Sequence, residues 1–276
     1  MNILYFDCQS GISGDMAVGA FLDMGIELTA LARKLSKMKL PAVYDIEAEK
    51  VRKNGTAATA FRVLAERAQG VCSLYCAEEW ISESGLADNA KSGALRALRL
   101  LTDAREKVYG ESGQWLRAAD AIACAVNLTA AAVCIGWTGA DTVVCSPLTE
   151  GNGFAETRSG LVRLPVPTVT ELARMSGAPF EICAEKTQLV TETGAALVSA
   201  FAQNFRVMPS MTVSSVGFGA GLKDLDTRAN VLRVILGKNE YRFFAESVCV
   251  IESDSACPES FWQCRTGRNG AKKSYE

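Results

Sequence analysis

The apolar tripeptide Ile3-Leu4-Tyr5 runs into Phe6-Asp7-Cys8-Gln9-Ser10-Gly11-Ile12-Ser13-Gly14-Asp15-Met16, and an apolar helical pattern follows at once. A short strand delivered into a helix through so brief a turn opens an α/β unit. The turn carries two glycines and two hydroxyls, and the helix starts at an acid. Two readings of it stand side by side. Either Ser13 or Asp15 N-caps an ordinary strand-to-helix turn, or the loop N–H groups and the helix start face an anion or substrate.

Beyond the first helix, Leu28, Leu31, Ala32, Leu35 and Met38 recur at helical spacing, with Pro41 just after them. Tyr44, Ile46 and Ala48 then alternate with acids, and Asn54-Gly55 is a strong hairpin signal before the alternating Thr59, Phe61 and Val63. Helices are predicted from about Cys76 to Val108, broken at Ser84-Gly85, and from Ala118 to Trp137. The second is nearly long enough to cross a bilayer, but Asp120, Asn127 and its many alanines favour a buried helix. Thr142 to Ser146 reads as a buried strand, Glu150 to Gly153 as a loop and Leu161 to Pro167 as extended chain. Thr168 to Glu171 has the form of a capping box, with Thr168 as N-cap and Glu171 as its partner. Thr191-Glu192-Thr193-Gly194 precedes another helix, whose start either is plainly N-capped or holds an anion. Gly217 to Gly221 looks like a dinucleotide fingerprint, but the strand Asn230 to Leu236 follows where a helix is required, so a wide hairpin with close backbone approach is expected.

These elements predict an α/β fold, with α+β as the alternative, built on a mixed sheet with packed helices. Residues 1–70 form an N-terminal strand-helix-helix-hairpin unit, 71–140 a helical segment and 141–247 a second α/β portion packed on the first. Residues 248–276 read as the start of a further domain, expected to be mobile after about 255.

With 49% hydrophobic residues there is enough apolar material for a core, and a net charge of -2 leaves no basic footprint for nucleic acid. The start lacks the order of a signal peptide, so a cytoplasmic location is expected, in which the ten cysteines are reduced thiols. Cys124, Cys134 and Cys145 lie in apolar patterns and read as core. Cys72 with Cys76, and Cys249, Cys257 and Cys264, lack the close paired spacing of a zinc site. The chain contains no histidine, which excludes a Ser-His triad or an imidazole-ligated metal within it. Scattered thiols and carboxylates alone predict weak nickel binding or none.

Six stretches, taken in order, resemble one family. They are Asp7 to Met16, Lys53-Asn54-Gly55, Cys145-Ser146-Pro147 with Gly151 to Phe154, Gly160 to Pro167, Leu189 to Leu197, and Gly217 to Val234. Over residues 1–255 the chain is similar to the nickel-insertion proteins of the lactate racemase system (LarC). That resemblance implies a chelatase of the lyase class, loading nickel into a pyridinium bisthiocarboxylate mononucleotide. It also implies CTP and a divalent metal only where the C-terminal domain is supplied, the chain end reading either as a truncation or as a split gene whose second half is made separately. On it, Asp7 and Asp15 are the catalytic acids, Ser10, Gly11, Ser13 and Gly14 line the cofactor, and Thr191, Thr193 and Gly194 form a second wall. Where relatives carry a His-x-His-Glu string and two further acids, this chain has Trp115-Leu116-Arg117-Ala118, Ala123 and Asn127. Ser159 replaces another histidine, and a histidine tract near Cys72 to Tyr75 is missing. A non-catalytic cofactor-binding or regulatory paralogue is the competing expectation.

Overall fold

The computed structural model describes residues 1–65, 68–157 and 160–239. The chain begins β1 (Asn2–Asp7), α1 (Gly14–Asp23), α2 (Leu28–Leu35), β2 (Asp45–Lys53), β3 (Thr56–Leu64), β4 (Val71–Ser73), α3 (Leu74–Ser82) and α4 (Asp88–Tyr109). It continues β5 (Trp115–Arg117), α5 (Ala118–Thr138), β6 (Thr142–Cys145), β7 (Leu148–Glu150), β8 (Phe154–Thr157) and β9 (Gly160–Arg163). The described part ends with α6 (Pro167–Ser176), β10 (Phe180–Ile182), α7 (Glu192–Phe201), β11 (Asn204–Phe205), β12 (Thr212–Ala220) and β13 (Val231–Lys238). Met1–Asn239 is one compact unit. The mobility expected after about residue 255, and Ser159 among the replaced histidines, fall outside the described residues.

Strand β1 is buried from Ile3 to Asp7 because it lies inside a mixed seven-stranded sheet of order β11-β6-β1-β13-β12-β3-β2, with a strand on either side. It pairs parallel with β6 and antiparallel with β13. The Asn54-Gly55 turn closes the antiparallel β2–β3 hairpin as expected, with both residues at positive φ. Side chains alternate across β1. Leu4 and Phe6 enter the main core, where Phe6 meets Phe21 of α1 edge-on, and Ile3 and Tyr5 join a small cluster on the opposite face with Val144 and Ile235.

Helix α1 lies directly on the backbone of β12, and glycine permits it. A Cβ on Gly219 would stand 1.7 Å from the Met16 carbonyl oxygen, and one on Gly217 would stand 2.0 Å from that of Ala20. The close approach expected of this glycine run is therefore present, in an antiparallel β12–β13 hairpin rather than a dinucleotide site. Helix α5 is long and apolar enough to cross a membrane, yet most of it is buried among α1, α3, α4, α7 and β3. Cys124, Cys134 and Cys145 are core residues, as their patterns indicated.

The capping box at Thr168 is not formed. Helix α6 starts two residues earlier, with Pro167 in its first turn and Val166 as an N-cap that makes no side-chain bond. Proline suits the first helical position because its φ is preset and its missing N–H would be unpaired there. Thr168 is thereby drawn inside the helix, fully buried, with its hydroxyl unpartnered. Glu171 turns instead to Arg174, accepting bonds of 2.9 and 2.7 Å.

Candidate functional site

Beyond the carboxyl ends of the parallel strands β1 and β6, the loop 8–13, the segment 146–151 that contains β7, and the loop 185–191 meet. Open α/β sheets place ligands at such an edge. Ser13 is the N-cap of α1, its hydroxyl accepting from the Met16 N–H at 3.0 Å, so the cap falls to Ser13 rather than Asp15. Thr191 caps α7 in the same way, accepting from the Gly194 N–H at 3.1 Å. The two helix starts are stitched together. The Ile12 N–H donates to the Leu189 carbonyl at 3.0 Å, and the Thr191 N–H donates to the Ile12 carbonyl at 2.9 Å.

The glycines are the condition for this approach. A Cβ on Gly11, which sits at φ +82°, would stand 2.2 Å from the Leu189 carbonyl oxygen, and one on Gly194 would stand 2.4 Å from that of Ile12. On Gly14 it would stand 2.8 Å from Asn127 Cβ. The Gly11 N–H donates to the Cys8 carbonyl at 2.9 Å, so this donor is engaged within the loop.

Asp15 stands in the first turn of α1, half-buried, and takes a 3.0 Å bond from the Asn127 side-chain amide. Burial pushes its carboxyl above the usual range, opposed by that amide and by its own backbone N–H. Asn127 is itself buried, with its Oδ1 unpartnered. Thr193 flanks the same place. Its hydroxyl reaches Cys124 Sγ at 3.7 Å, and its neighbour Glu192 pairs with Arg105. Ser10 is half-buried in the turn beside the exposed Gln9.

Asp7 does not join Asp15. By strand alternation it lies on the Tyr5 face of the sheet, opposite α1, where Arg233 of β13 bonds one of its oxygens through Nε at 3.0 Å and also through Nη2. Its other oxygen is buried and unpartnered. Burial first, and then the Asp7 charge, push the Tyr5 phenol up to about 12.

Sequence reasoning missed Glu150, which it placed in a plain loop. The residue is fully buried at the end of β7. Its Oε1 accepts from the Gly151 N–H at 2.7 Å and the Leu189 N–H at 2.6 Å, and the Val190 N–H stands 3.4 Å from both oxygens. Desolvation raises its carboxyl, and those backbone donors oppose the shift. Glu150 thus fixes the segment against which Ile12 packs. The only sequence signal was an acid followed by Gly-Asn-Gly.

The structure also gathers positions that the resemblance marks as altered. Strand β4 pairs with β5, setting Cys72 opposite Leu116 and Ser73 opposite Trp115. Ala123 lies one turn before Asn127 on the same side of α5. Among the described residues no three of Cys, Asp and Glu form a group able to hold a metal ion.

Fold and site define an α/β protein with a polar, loop-borne site at the carboxyl edge of its sheet. A family profile described as "Nickel insertion protein" matches residues 4–260, and the chain belongs to that family. It is 38% identical over 267 residues to a protein of Geobacter sulfurreducens named for nickel insertion, covering 94% of this chain and 68% of the relative. It is 33% identical over 287 residues to the pyridinium-3,5-bisthiocarboxylic acid mononucleotide nickel insertion protein of Acetivibrio thermocellus, covering 98% of this chain and 70% of the relative. The protein of that name from Clostridium kluyveri is 31% identical over 277 residues, covering 95% and 69%. The chain thus spans roughly two thirds of the length of these relatives. No solved structure matches it significantly.

Proposed function

We propose that the chain acts in nickel insertion into a pyridinium bisthiocarboxylate mononucleotide, holding the mononucleotide at the Ser10–Asp15 loop with nickel as the transferred cargo. The observation that carries this reading is the half-buried Asp15 carboxyl set between two converging helix starts. The ligand's charges suit that arrangement. A cationic pyridinium ring is matched by Asp15, and its phosphate or thiocarboxylate groups by the positive ends of α1 and α7. Ser10 and Thr193 supply hydroxyls, Ser13 and Thr191 hold the helix starts, and Gly11, Gly14 and Gly194 let the two walls close. Asp15 is the acid that meets the ligand, while Asp7 is held on the far face by Arg233. The setting proposed is the cytoplasm, where thiols stay reduced. Use of CTP with a divalent metal is assigned to the part of the relatives' length that this chain does not span.

The second reading, a cofactor-binding paralogue without chelatase activity, is favoured by Asn127, whose neutral amide occupies the place beside Asp15 that the resemblance gives to an acid. Both readings require the mononucleotide to bind. Titration calorimetry of the mononucleotide against wild type and Asp15→Asn tests that requirement. We expect affinity to fall about tenfold or more, equivalent to about 1.4 kcal/mol, and equal affinity would remove the cradle. Gly14 is unsuitable for this test because any side chain there collides with Asn127. Nickel transfer, followed by the mass of the mononucleotide with CTP and the C-terminal domain present, separates the two readings.

A further inference from the structure

Residues 221–230, which join β12 to β13, reach both walls of the cradle, and the fold holds them there. The Asn54 side-chain amide donates to the Leu225 carbonyl at 3.1 Å and to the Arg228 carbonyl at 2.9 Å, and the buried Asn230 donates to the Lys223 carbonyl at 2.8 Å. Leu225 is itself buried. Two cations leave this segment. Arg228, half-buried, donates through Nη1 to the Gln9 carbonyl at 2.8 Å on the first wall, next in the chain to Ser10. Lys223, exposed, donates to the Thr187 hydroxyl at 2.7 Å on the second wall. Both partners are neutral, and among the described residues neither cation forms an ion pair. Its neighbours differ in this respect. Arg105 pairs with Glu192, Arg233 with Asp7 and Lys53 with Asp224. The carboxyl of Glu185 is taken by Thr227, whose N–H donates to it at 3.1 Å and whose hydroxyl bonds the same oxygen.

We propose that this segment is a phosphate-binding strap, in which the Arg228 guanidinium, aided by Lys223, takes the phosphate of the mononucleotide. The inference rests on the proposed function and deepens it. Asp15 meets the pyridinium ring, the two helix starts meet the thiocarboxylates, and the phosphate goes to the strap. A phosphate monoester carries about −1.5 to −2 charges at neutral pH, whereas a helix start supplies about half a positive charge. Here each helix start also has one N–H engaged by its own cap, Met16 by Ser13 and Gly194 by Thr191. Two cations that face no carboxylate match the phosphate better. A guanidinium carries N–H donors along both of its edges, and among the described residues Arg228 engages Nη1 alone, so a fork remains for two phosphate oxygens. Lys223 adds a point charge from the opposite wall. Because Asn54 and Asn230 already fix the strap, little ordering cost opposes binding.

The test varies the ligand as well as the protein. Titration calorimetry on the full chain compares the mononucleotide with its dephosphorylated nucleoside, prepared with a phosphatase. Wild type should bind the mononucleotide about tenfold or more tighter than the nucleoside. Arg228→Gln keeps a donor for the Gln9 carbonyl and removes the charge. It should weaken the mononucleotide about tenfold and leave the nucleoside unchanged. Lys223 is exposed, so Lys223→Gln reads the same preference without disturbing the walls, with a smaller drop of about threefold. Asp15→Asn, by contrast, should weaken both ligands alike. Thermal melts followed by circular dichroism confirm that each variant is folded. A phosphate preference that survives both strap substitutions, a wild type that shows none, or an Arg228→Gln that weakens both ligands equally overturns the strap and leaves the cradle standing. A wild type that binds neither ligand removes cradle and strap together.

Discussion

Removing the Glu150 side chain tests how the cradle is held. In Glu150→Ala the Leu189 and Val190 N–H groups lose their acceptor inside a fully buried site, and Gly151 loses its own. Each buried donor left unpaired costs about 1–3 kcal/mol. Against this stands relief from burying a carboxylate, and a water that enters the space recovers part of the bonding. The net expectation is a loss of about 3–5 kcal/mol, from the donors in Leu189 and Val190 together with the cavity. Glu150→Gln keeps an acceptor for Leu189 and removes the charge, so its loss should be smaller, about 1–2 kcal/mol. Urea unfolding followed by circular dichroism measures both. The pH dependence gives a second readout. A carboxyl raised in the folded state makes the native protein bind more protons than the unfolded chain above the ordinary carboxylate range, so wild-type stability falls as pH rises through the folded value. Wild type should therefore lose ground to Glu150→Gln as pH increases across that window, and the difference should level off above it. Alanine and glutamine variants of equal stability, or an alanine loss below about 1 kcal/mol, would refute the assignment of Glu150 as the pin of the Leu189 segment.

The other expectations concern single side chains. Asn127→Asp sets a second carboxylate against Asp15 where an amide now donates at 3.0 Å. It should destabilise the protein near neutral pH, lose that penalty on acidification and gain stabilisation from an added divalent cation; thermal melts across pH, with and without the cation, check all three. Thr168→Val deletes a buried hydroxyl that has no partner, and should leave the urea midpoint unchanged or raise it by the equivalent of about 1 kcal/mol.

The sequence made legible what is local and periodic. Alternation marked β2 and β3, Asn54-Gly55 marked their turn, and alanine-rich apolarity marked α5 as buried. Thr168 misled because the capping-box pattern concerns spacing alone, whereas Pro167 was the stronger determinant of where the helix starts. Glu150 was invisible because its acceptor role is defined by N–H groups 39 and 40 residues further on. Asp7 and Asp15 were joined by a shared motif, yet β1 sends Asp7 through one face of the sheet while α1 carries Asp15 on the other. The glycines show the deepest ambiguity. A glycine beside a helix start serves either by offering its N–H to a ligand or by lacking a Cβ, and both uses select the same residue. What separates them is where the N–H goes and what stands where the Cβ would be. At Gly11 those are the Cys8 and Leu189 carbonyls, the second of which reaches the loop from a segment distant in sequence. Close packing of the two segments therefore accounts for Gly11 and Gly194, and under the proposed function ligand chemistry at this edge falls to the groups that packing leaves half-buried, Ser10, Asp15 and Thr193.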